Sequence, residues 1–449
     1  MSRRNREKRA AKQKARQRSA AASGRSADPG PAGFRTADDR AVLREAMIDG
    51  IRRGAVCTCD DIDGHAAELV ADFGAEAGEL DAATDTAVTR MVGEMWRRGW
   101  QPFDLVEIVR RRLDREIAEY VAEAVVLESR RYAAAAVHPR WRAQVAGIEA
   151  GAALPEPGRP HVRTWRARAG LAQRAGLGAV LRMLSLICRL PVFERLLPLP
   201  GESRHHVGEP AQSDQKALAK VRALLAKAES TQFPEEAEAL SAKAQELMSR
   251  YSLHQAVHDH DRGRAPVVSG RRIWLEAPYL DAKALLVQEV AGANRARTVW
   301  ASTMGFATVV GADADLDAIE LLTTSLLVQA GRAMLAEGSR ITRAGTSRTR
   351  SFRQSFLIAY ARRIGERLAA ADSVTTEEID AEVRAESSAA DSTLLPVLAA
   401  RASATDALVE ELFPHLVARG YSVSNADGWA AGRAAADQAH FGVRGSIAG

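Results

Sequence analysis

The stretch KVRALLAKAESTQFPEEAEALSAKAQELMSRYSL, residues 220–253, decides the fold of the middle of this chain. Apolar residues recur three and four positions apart at its start, which predicts an amphipathic helix over residues 216–228. Pro234 fits the first turn of a second helix over residues 234–252, and the glutamates after it favour the positive end of that helix. A short turn between two such helices predicts an antiparallel hairpin, in which an aspartate at Leu224 would bury an unpaired charge.

Three pieces of this stretch carry a family resemblance. KVRALLAKAEST (220–231), PEEA (234–237) and AQELM (244–248) closely resemble the domain-of-unknown-function family 2786, over roughly residues 214–256. The resemblance implies a short helical hairpin of a kind that is widespread in bacteria and phages. It implies neither a reaction nor a catalytic residue, and it implies a small α+β region after the hairpin, as relatives often have.

The hydrophobic period changes after the hairpin. Runs rich in β-branched and aromatic residues at 271–278, 295–303 and 305–312 predict three strands. We expect the second and third strands to pair through a turn at Met304 and Gly305. Helical segments separate the first two strands and follow the third, so the order β-α-β-β-α-α predicts a three-stranded antiparallel sheet packed by helices.

The composition and periodicity together predict a mainly α protein with a small α+β domain. In chain order we expect a disordered basic tail (1–35), a helical domain (36–150), a linker with short amphipathic helices (151–213), the helical hairpin (214–256), the small α+β domain (270–370) and C-terminal helices (371–449). Trp96, Trp100 and Trp141 lie in apolar periodic segments, so we expect them in the core. Gly428 and Gly432 predict a small-residue helix that packs against a neighbour.

Cysteine use and hydropathy bear on the location of the protein. Its three cysteines, Cys57, Cys59 and Cys188, cannot form a disulfide framework, which favours a reducing compartment. No apolar segment follows the basic start as it would in a secretory signal, and charges and prolines interrupt the apolar stretch 176–200. We therefore expect a cytoplasmic protein with no membrane span, and no motif predicts a cofactor.

Positive charge is concentrated in two segments, although the net charge is only +5. Residues 1–20 hold nine basic residues and one acid, and residues 339–365 hold seven arginines and no acid, which leaves −10 for the remainder. Such segregation favours binding of nucleic acid or another polyanion. The predicted binding residues are Arg3, Arg4, Arg6, Lys8, Arg9, Lys12, Lys14, Arg16, Arg18, Arg340, Arg343, Arg348, Arg350 and Arg353.

Possible metal ligands occur in two incomplete sets. His254 and His258 lie one helical turn apart, but no glutamate follows the first histidine as it would in a zinc-protease motif. Cys57 and Cys59 lack the second pair of ligands that structural zinc normally takes. A solvated helix end explains the two histidines more simply than a metal site does.

A third set of acids has the spacing of a calcium-binding loop. Asp313, Asp315 and Asp317 match its opening, but the glycine and the final glutamate of such a loop are missing. We therefore expect Asp317 to cap a helix, with Glu320 completing a capping box.

Three functions stay open on the sequence alone. The first is a nucleic-acid-associated accessory protein without sequence preference. The second is a metal-dependent hydrolase, whose site would be assembled from His254, His258 and acids of the small sheet region. The third is a helical protein-interaction scaffold, in which the tail aids solubility and the arginines of residues 339–365 pair with acids elsewhere in the chain.

Overall fold

A computed structural model describes the larger part of the chain and divides it into two compact units. The described residues are 37–56, 61–155, 158–202, 212–230, 234–338, 349–386, 394–417, 420 and 423–438. By chain range, the first unit comprises Met1–Met95, Leu105–Arg130 and Val145–Pro191, and the second comprises Trp96–Asp104, Arg131–Gln144 and Val192–Gly449. The finer domain boundaries expected from composition remain predictions.

Helices make up the first half of the described chain. In order they are α1 (Ala37–Val56), α2 (Ile62–Phe73), α3 (Ala77–Arg97), α4 (Pro102–Arg112), α5 (Arg115–Ser129), α6 (Pro139–Glu149), α7 (His161–Arg168) and α8 (Gln173–Cys188). Pro102 begins α4, as its fixed φ predicts. Asp61 precedes α2 and accepts a hydrogen bond from the Gly64 N–H at 2.7 Å, which satisfies one free donor of that helix. In the first unit α8 packs against α1 and α2 through buried residues that include Leu181 and Ile187.

The second half of the described chain contains the hairpin, the sheet and the helices around them. In order the elements are α9 (Gln212–Ser230), α10 (Pro234–Asp261), β1 (Val268–Trp274), α11 (Leu280–Ala293), β2 (Arg297–Ala301), β3 (Phe306–Ala312), α12 (Asp313–Ala336), α13 (Thr349–Glu386), α14 (Leu395–Leu412) and α15 (Ala426–Gln438). This order confirms the mainly α fold with a small α+β part.

The sheet has the predicted three antiparallel strands, in the order β1-β3-β2. Val268 pairs with Ala312 at one end of β1–β3, and Trp274 pairs with Phe306 at the other. β2 and β3 form a hairpin in which Ala301 opposes Phe306, so the turn falls at Met304 and Gly305 as expected. The central strand β3 is the most buried of the three, and helices α11, α12 and α14 contact the sheet.

The helical hairpin is also as predicted, although its second helix continues to Asp261. Val221, Leu225, Ala244 and Met248 belong to one buried cluster with the core of the sheet region. Leu224 is only half-buried, whereas Leu225 is 3 % exposed. The seam of the hairpin is therefore centred on Leu225, and an aspartate at Leu225 tests it better than an aspartate at Leu224.

The predicted tryptophan core is confirmed, since Trp96, Trp100 and Trp141 are each no more than 2 % exposed. The rings of Trp96 and Trp141 meet edge to face with centroids 5.1 Å apart. Trp100 packs on Phe193 at 5.2 Å. Such aromatic pairs add to the stabilisation that burial of their area provides.

A buried ion pair joins β1 to the first turn of α4. Arg272 and Asp104, both with side chains 4 % exposed, lie 2.5 Å apart between Nη1 and Oδ2. Arg272 also donates to the Gly99 carbonyl at 2.9 Å, and its guanidinium lies 4.8 Å from the centre of the Phe193 ring. The indole of Trp274 donates to the second oxygen of Asp104 at 2.8 Å. We call this arrangement the Arg272–Asp104 pair.

The expected capping box at Asp317 and Glu320 is wrong. β3 runs directly into α12, so the helix begins at Asp313 with Ala312 as its N-cap, and no side-chain cap hydrogen bond forms there. Asp317 and Glu320 then lie inside the helix, on the side where both bind Arg271 of β1. The pattern of a capping box was present, but the N-cap of the helix lies five residues earlier, at Ala312.

Helices α13 and α15 pack backbone to backbone, as the two glycines predicted. A Cβ atom at Gly428 would overlap the carbonyl oxygen of Phe352, and a Cβ atom at Gly432 would overlap that of Phe356. Both obstacles are backbone atoms within α13, which cannot move without breaking helix geometry.

We expect Gly432→Ala to destabilise the protein by about 2 kcal/mol, because overpacking outweighs the gain in helix propensity. The matched control is Gly331→Ala in α12, where a Cβ atom meets nothing within 4 Å. There the same substitution should stabilise by about 0.5–1 kcal/mol. Urea unfolding of both variants measures the two effects, and the same sign at both positions would contradict the close packing of α13 and α15.

Within the described residues, no single helix is both long and apolar enough to cross a membrane. The pair α7 and α8 reaches the required length and composition only together, and it is bent by 112°.

Candidate nucleic-acid interface

One side of α9 is basic and exposed. Lys216, Lys220 and Lys227 are spaced four and seven residues apart, so they lie within about 40° of one another around a helix of 3.6 residues per turn. All three are exposed. We call them the lysine face; Arg222, on another side of the same helix, is exposed as well.

The opposite side of α9 holds the lysine face in place. Val221, Leu225 and Ala228 are 2 %, 3 % and 4 % exposed, and α9 packs against α10 and α12. These residues are spaced four and then three positions apart, on the side about 100–160° from the centre of the lysine face. Because the apolar side of α9 is buried against the core, the lysines on the other side point into solvent.

Three cations of α9 differ from the paired arginines of the neighbouring helices. Within the described residues, Lys216, Lys220 and Arg222 make no ion pair and no side-chain hydrogen bond. By contrast, Arg250 of α10 binds Glu378 and Glu382 of α13 at 2.7 and 2.8 Å. Cations that no acid neutralises are those that gain most from an external polyanion.

The arginines predicted from the sequence fall into separate classes. The tail residues of 1–20 and Arg340, Arg343 and Arg348 lie outside the described residues. Arg350 is exposed near the start of α13, and Arg353 is half-buried with an Nε atom that has no hydrogen-bond partner in the described structure.

Two arginines of the same run have acids of this chain as partners. Arg362 binds Glu289 of α11 at 2.7 Å, and Arg363 binds Glu366 at 2.8 Å. Glu366 also binds Arg433 of α15, and hydrogen bonds from Arg433 and Arg363 lower the pKa of Glu366 to about 2. For Arg362 and Arg363, the internal pairing that the sequence left open is the one that occurs.

A buried polar network lies on the core side of α10. Gln245 and Ser249 face inward, 0 % and 1 % exposed, and the Gln245 amide donates to Asn294 at 3.1 Å. Ser249 donates to Asp372 of α13 at 3.0 Å, and Asp372 also binds Arg295 at 2.7 Å. These hydrogen bonds connect α10 to the end of α11 and to α13, and so fix the orientation of α10 against both helices.

The same face of α10 continues into a second polar contact. Ser252 donates to Asp315 of α12 at 2.8 Å and accepts from Arg401 of α14 at 3.1 Å. Burial raises the pKa of Asp315, and the charge of Arg401 opposes this rise. Sequence periodicity did not reveal this role, because serine and glutamine at helical spacing look the same whether they face water or a buried acid.

The predicted metal ligands do not converge in the described structure. His254 lies 3.8 Å from Glu382, and His258 lies 3.7 Å from the neighbouring Asp259, with both histidines exposed. Cys57 and Cys59 lie outside the described residues. Across the described ranges, no group of three or more histidine, cysteine, aspartate or glutamate side chains could hold a metal ion.

The three aspartates of the calcium-like spacing each have their own arginine. Asp313 binds Arg140 at 2.8 Å, Asp315 lies 3.7 Å from Arg401, and Asp317 binds Arg271. The arginine beside each carboxylate neutralises its charge and would repel a metal cation. These acids therefore form ion pairs that hold α12 against its neighbours.

The fold thus defines a mainly helical protein whose helical hairpin is attached to a small α+β sheet region. The family model described as a protein of unknown function (DUF2786) matches residues 216–255, which is the hairpin of α9 and α10 and includes the lysine face. The match spans less than a tenth of the 449 residues, so it is a similarity of this segment. Searches of curated proteins and of solved structures each found no match.

Proposed function

We propose that the protein is a cytoplasmic accessory protein that binds nucleic acid through phosphate contacts, without sequence preference. The observation that carries the proposal is the lysine face, exposed on one side of α9 and without acidic partners for Lys216 and Lys220 among the described residues. The basic residues of 1–20, and Arg340, Arg343, Arg348 and Arg350, would add further phosphate contacts.

The chemistry of the lysine face favours contacts to phosphates over hydrogen bonds to the edges of the bases. Lysine offers a compact charge with rotatable donors, which suits a phosphate and lacks the fixed fork that reads guanine. The lysine face spans three helical turns, or about 16 Å at 1.5 Å per residue, so it can contact two or three phosphates. We therefore expect weak binding that depends strongly on salt.

The test is the salt dependence of binding to labelled duplex DNA and single-stranded RNA by fluorescence anisotropy. Each phosphate contact contributes roughly 0.9 to the slope of log affinity against log salt on duplex DNA. Replacing Lys216, Lys220 and Lys227 together by serine should lower the slope by about two to three. Deleting residues 2–20 should lower it by several units, and replacing Arg343, Arg348 and Arg350 by serine by about two to three.

A matched control removes the same charge from elsewhere. Arg44, Arg90 and Arg182 of the first unit are exposed and are bound to Glu79, Glu45 and Asp63. Replacing these three arginines by serine should leave the slope nearly unchanged. The proposal would be overturned if the intact protein did not bind at about 50 mM salt. It would also be overturned if neither the lysine replacements nor the deletion of residues 2–20 changed the slope.

A further inference from the structure

A cavity of about 350 Å³ lies in the first unit, between α3, α5 and the segment that leads into α7. Its walls include Val88, Ala124, Leu127 and Pro155, which are apolar. This volume lies within the range of natural small-molecule sites, and apolar walls with a few polar groups are their usual lining. The proposed nucleic-acid contacts make no use of this cavity, since they lie on α9 and in the basic segments.

Buried contacts fix the floor of the cavity. The Tyr120 ring stacks on the His161 ring with centroids 4.4 Å apart and planes 9° apart. His161 Nε2 lies 2.7 Å from Glu123 Oε2, and the other oxygen of Glu123 accepts a hydrogen bond from Arg168. Because His161 and Glu123 are 5 % and 1 % exposed, the stacked pair cannot shift freely, and Tyr120 is presented at a defined place.

The hydroxyl of Tyr120 lies close to the Asp85 carboxylate, but not in normal hydrogen-bond geometry with it. Tyr120 is 0 % exposed and lines the cavity, and its hydroxyl makes no well-formed hydrogen bond to any described residue. Burial raises the pKa of this hydroxyl well above its usual value, and the charge of Asp85 and its weak hydrogen-bonding interaction with the hydroxyl raise the pKa further. A buried hydroxyl normally makes a well-formed hydrogen bond, so a ligand that accepts a hydrogen bond from Tyr120 would remove an energetic cost.

Asp85 provides the complementary acceptor beside that donor. Its two oxygens accept the N–H groups of His161 and Val162 at 2.6 and 2.9 Å, which fixes the carboxylate. A carboxylate has about four acceptor positions, so each oxygen can accept one more hydrogen bond. Burial raises the pKa of Asp85, and a donor from a ligand would favour its charged form.

The mouth of the cavity carries the opposite charge. Arg130 and Arg159 line it and are exposed. Arg130 binds Glu149 at 2.5 Å through Nη2, which leaves other donors of the guanidinium for a second acceptor. Arginine pairs at a cavity mouth suit phosphate, which they can bind through paired N–H groups.

We propose that this cavity binds a small organophosphate of about nucleoside monophosphate size. Its hydrogen-bonding edge would accept from Tyr120 and donate to Asp85, its body would lie against Val88, Ala124, Leu127 and Pro155, and its phosphate would meet Arg130 and Arg159. An adjacent donor and acceptor on the protein matches an adjacent acceptor and donor on a nucleobase edge. The volume accommodates one such molecule and excludes a polynucleotide from the floor.

Isothermal titration calorimetry tests the proposal, with the 5′-monophosphates of adenosine, guanosine, cytidine and uridine as probes. We expect saturable binding of at least one nucleotide at one site per chain, and weaker binding of its nucleoside and of inorganic phosphate. Tyr120→Phe keeps the ring and removes only the hydroxyl, so it should weaken this binding by roughly five- to tenfold. Its melting temperature should stay the same or rise, because an unsatisfied buried group is lost.

Two further variants separate the phosphate contacts from other charges. Replacing Arg130 and Arg159 by serine should bring the affinity for the nucleotide down to that for its nucleoside. Arg182→Ser and the serine variant of the lysine face should leave nucleotide binding unchanged, which distinguishes this site from the nucleic-acid surface. The proposal is overturned if no nucleotide binds at millimolar concentration, if inorganic phosphate or the nucleoside binds as tightly, or if Tyr120→Phe binds like the unaltered protein.

Discussion

We expect Leu225→Asp to destabilise the second unit by at least about 4 kcal/mol, which is the largest effect of any substitution considered for this protein. Leu225 is 3 % exposed and shares a buried cluster with Val221, Ala244 and Met248. A carboxylate at this place would lie among the apolar side chains of this cluster, and the substitution would remove apolar contacts as well. Denaturant unfolding followed by circular dichroism measures the loss.

The next residue along α9 offers a matched control for this substitution. Ala226 is exposed, so Ala226→Asp introduces the same charge into the same helix turn and should cost less than about 1 kcal/mol, mostly through helix propensity. Leu224→Asp should lie between the two, because Leu224 is half-buried. Equal losses at Leu225 and Ala226 would mean that the seam of the hairpin has been placed on the wrong side of α9.

The second large effect is expected at the Arg272–Asp104 pair. Arg272→Ala leaves the Asp104 carboxylate buried without its cation, and loss of one partner of a buried pair costs about 3–5 kcal/mol. Part of this loss comes from the packing of the guanidinium on Phe193. Thermal unfolding in parallel with urea unfolding gives the change in stability.

A double variant distinguishes a broken pair from simple loss of volume. Arg272→Met with Asp104→Asn removes both charges, so it should be less destabilised than the sum of the two single variants. Arg297→Ala is the control, because its pair with Asp406 is about half exposed and should contribute less than about 1 kcal/mol. Strict additivity in the double variant would show that the two charges do not interact.

Local patterns in the sequence predicted most of the second unit. Pro234 and the apolar spacing around it predicted the two hairpin helices, and the β-branched runs predicted the strands and their turn at Gly305. These patterns predict secondary structure because helices and strands depend mainly on residues that are close in the sequence. The capping box at Asp317 failed for the same reason, since a local pattern does not reveal that the preceding strand runs into the helix without a break.

The candidate site was less predictable, because charge pairing is decided by distant residues. Arg362 and its partner Glu289 are 73 positions apart, and no spacing rule connects them. The lysine face could have been found from its spacing of four and seven residues within a helix whose other side is apolar. Tyr120 and Asp85 are 35 positions apart and meet at one cavity only through packing, so a search for motifs does not join them.

The Arg272–Asp104 pair limits how this gene can be divided. Asp104 and the Gly99 carbonyl lie in a short segment far upstream of the sheet that needs them, so a fragment that starts at Val192 would contain β1 with its arginine but without the acid. A fragment that contains the matched hairpin and everything after it therefore lacks part of the structure that its sheet needs. Joining such a fragment to another protein would leave Arg272 without its acid and Phe193 without Trp100, so residues 96–104 and the sheet belong to one folding unit.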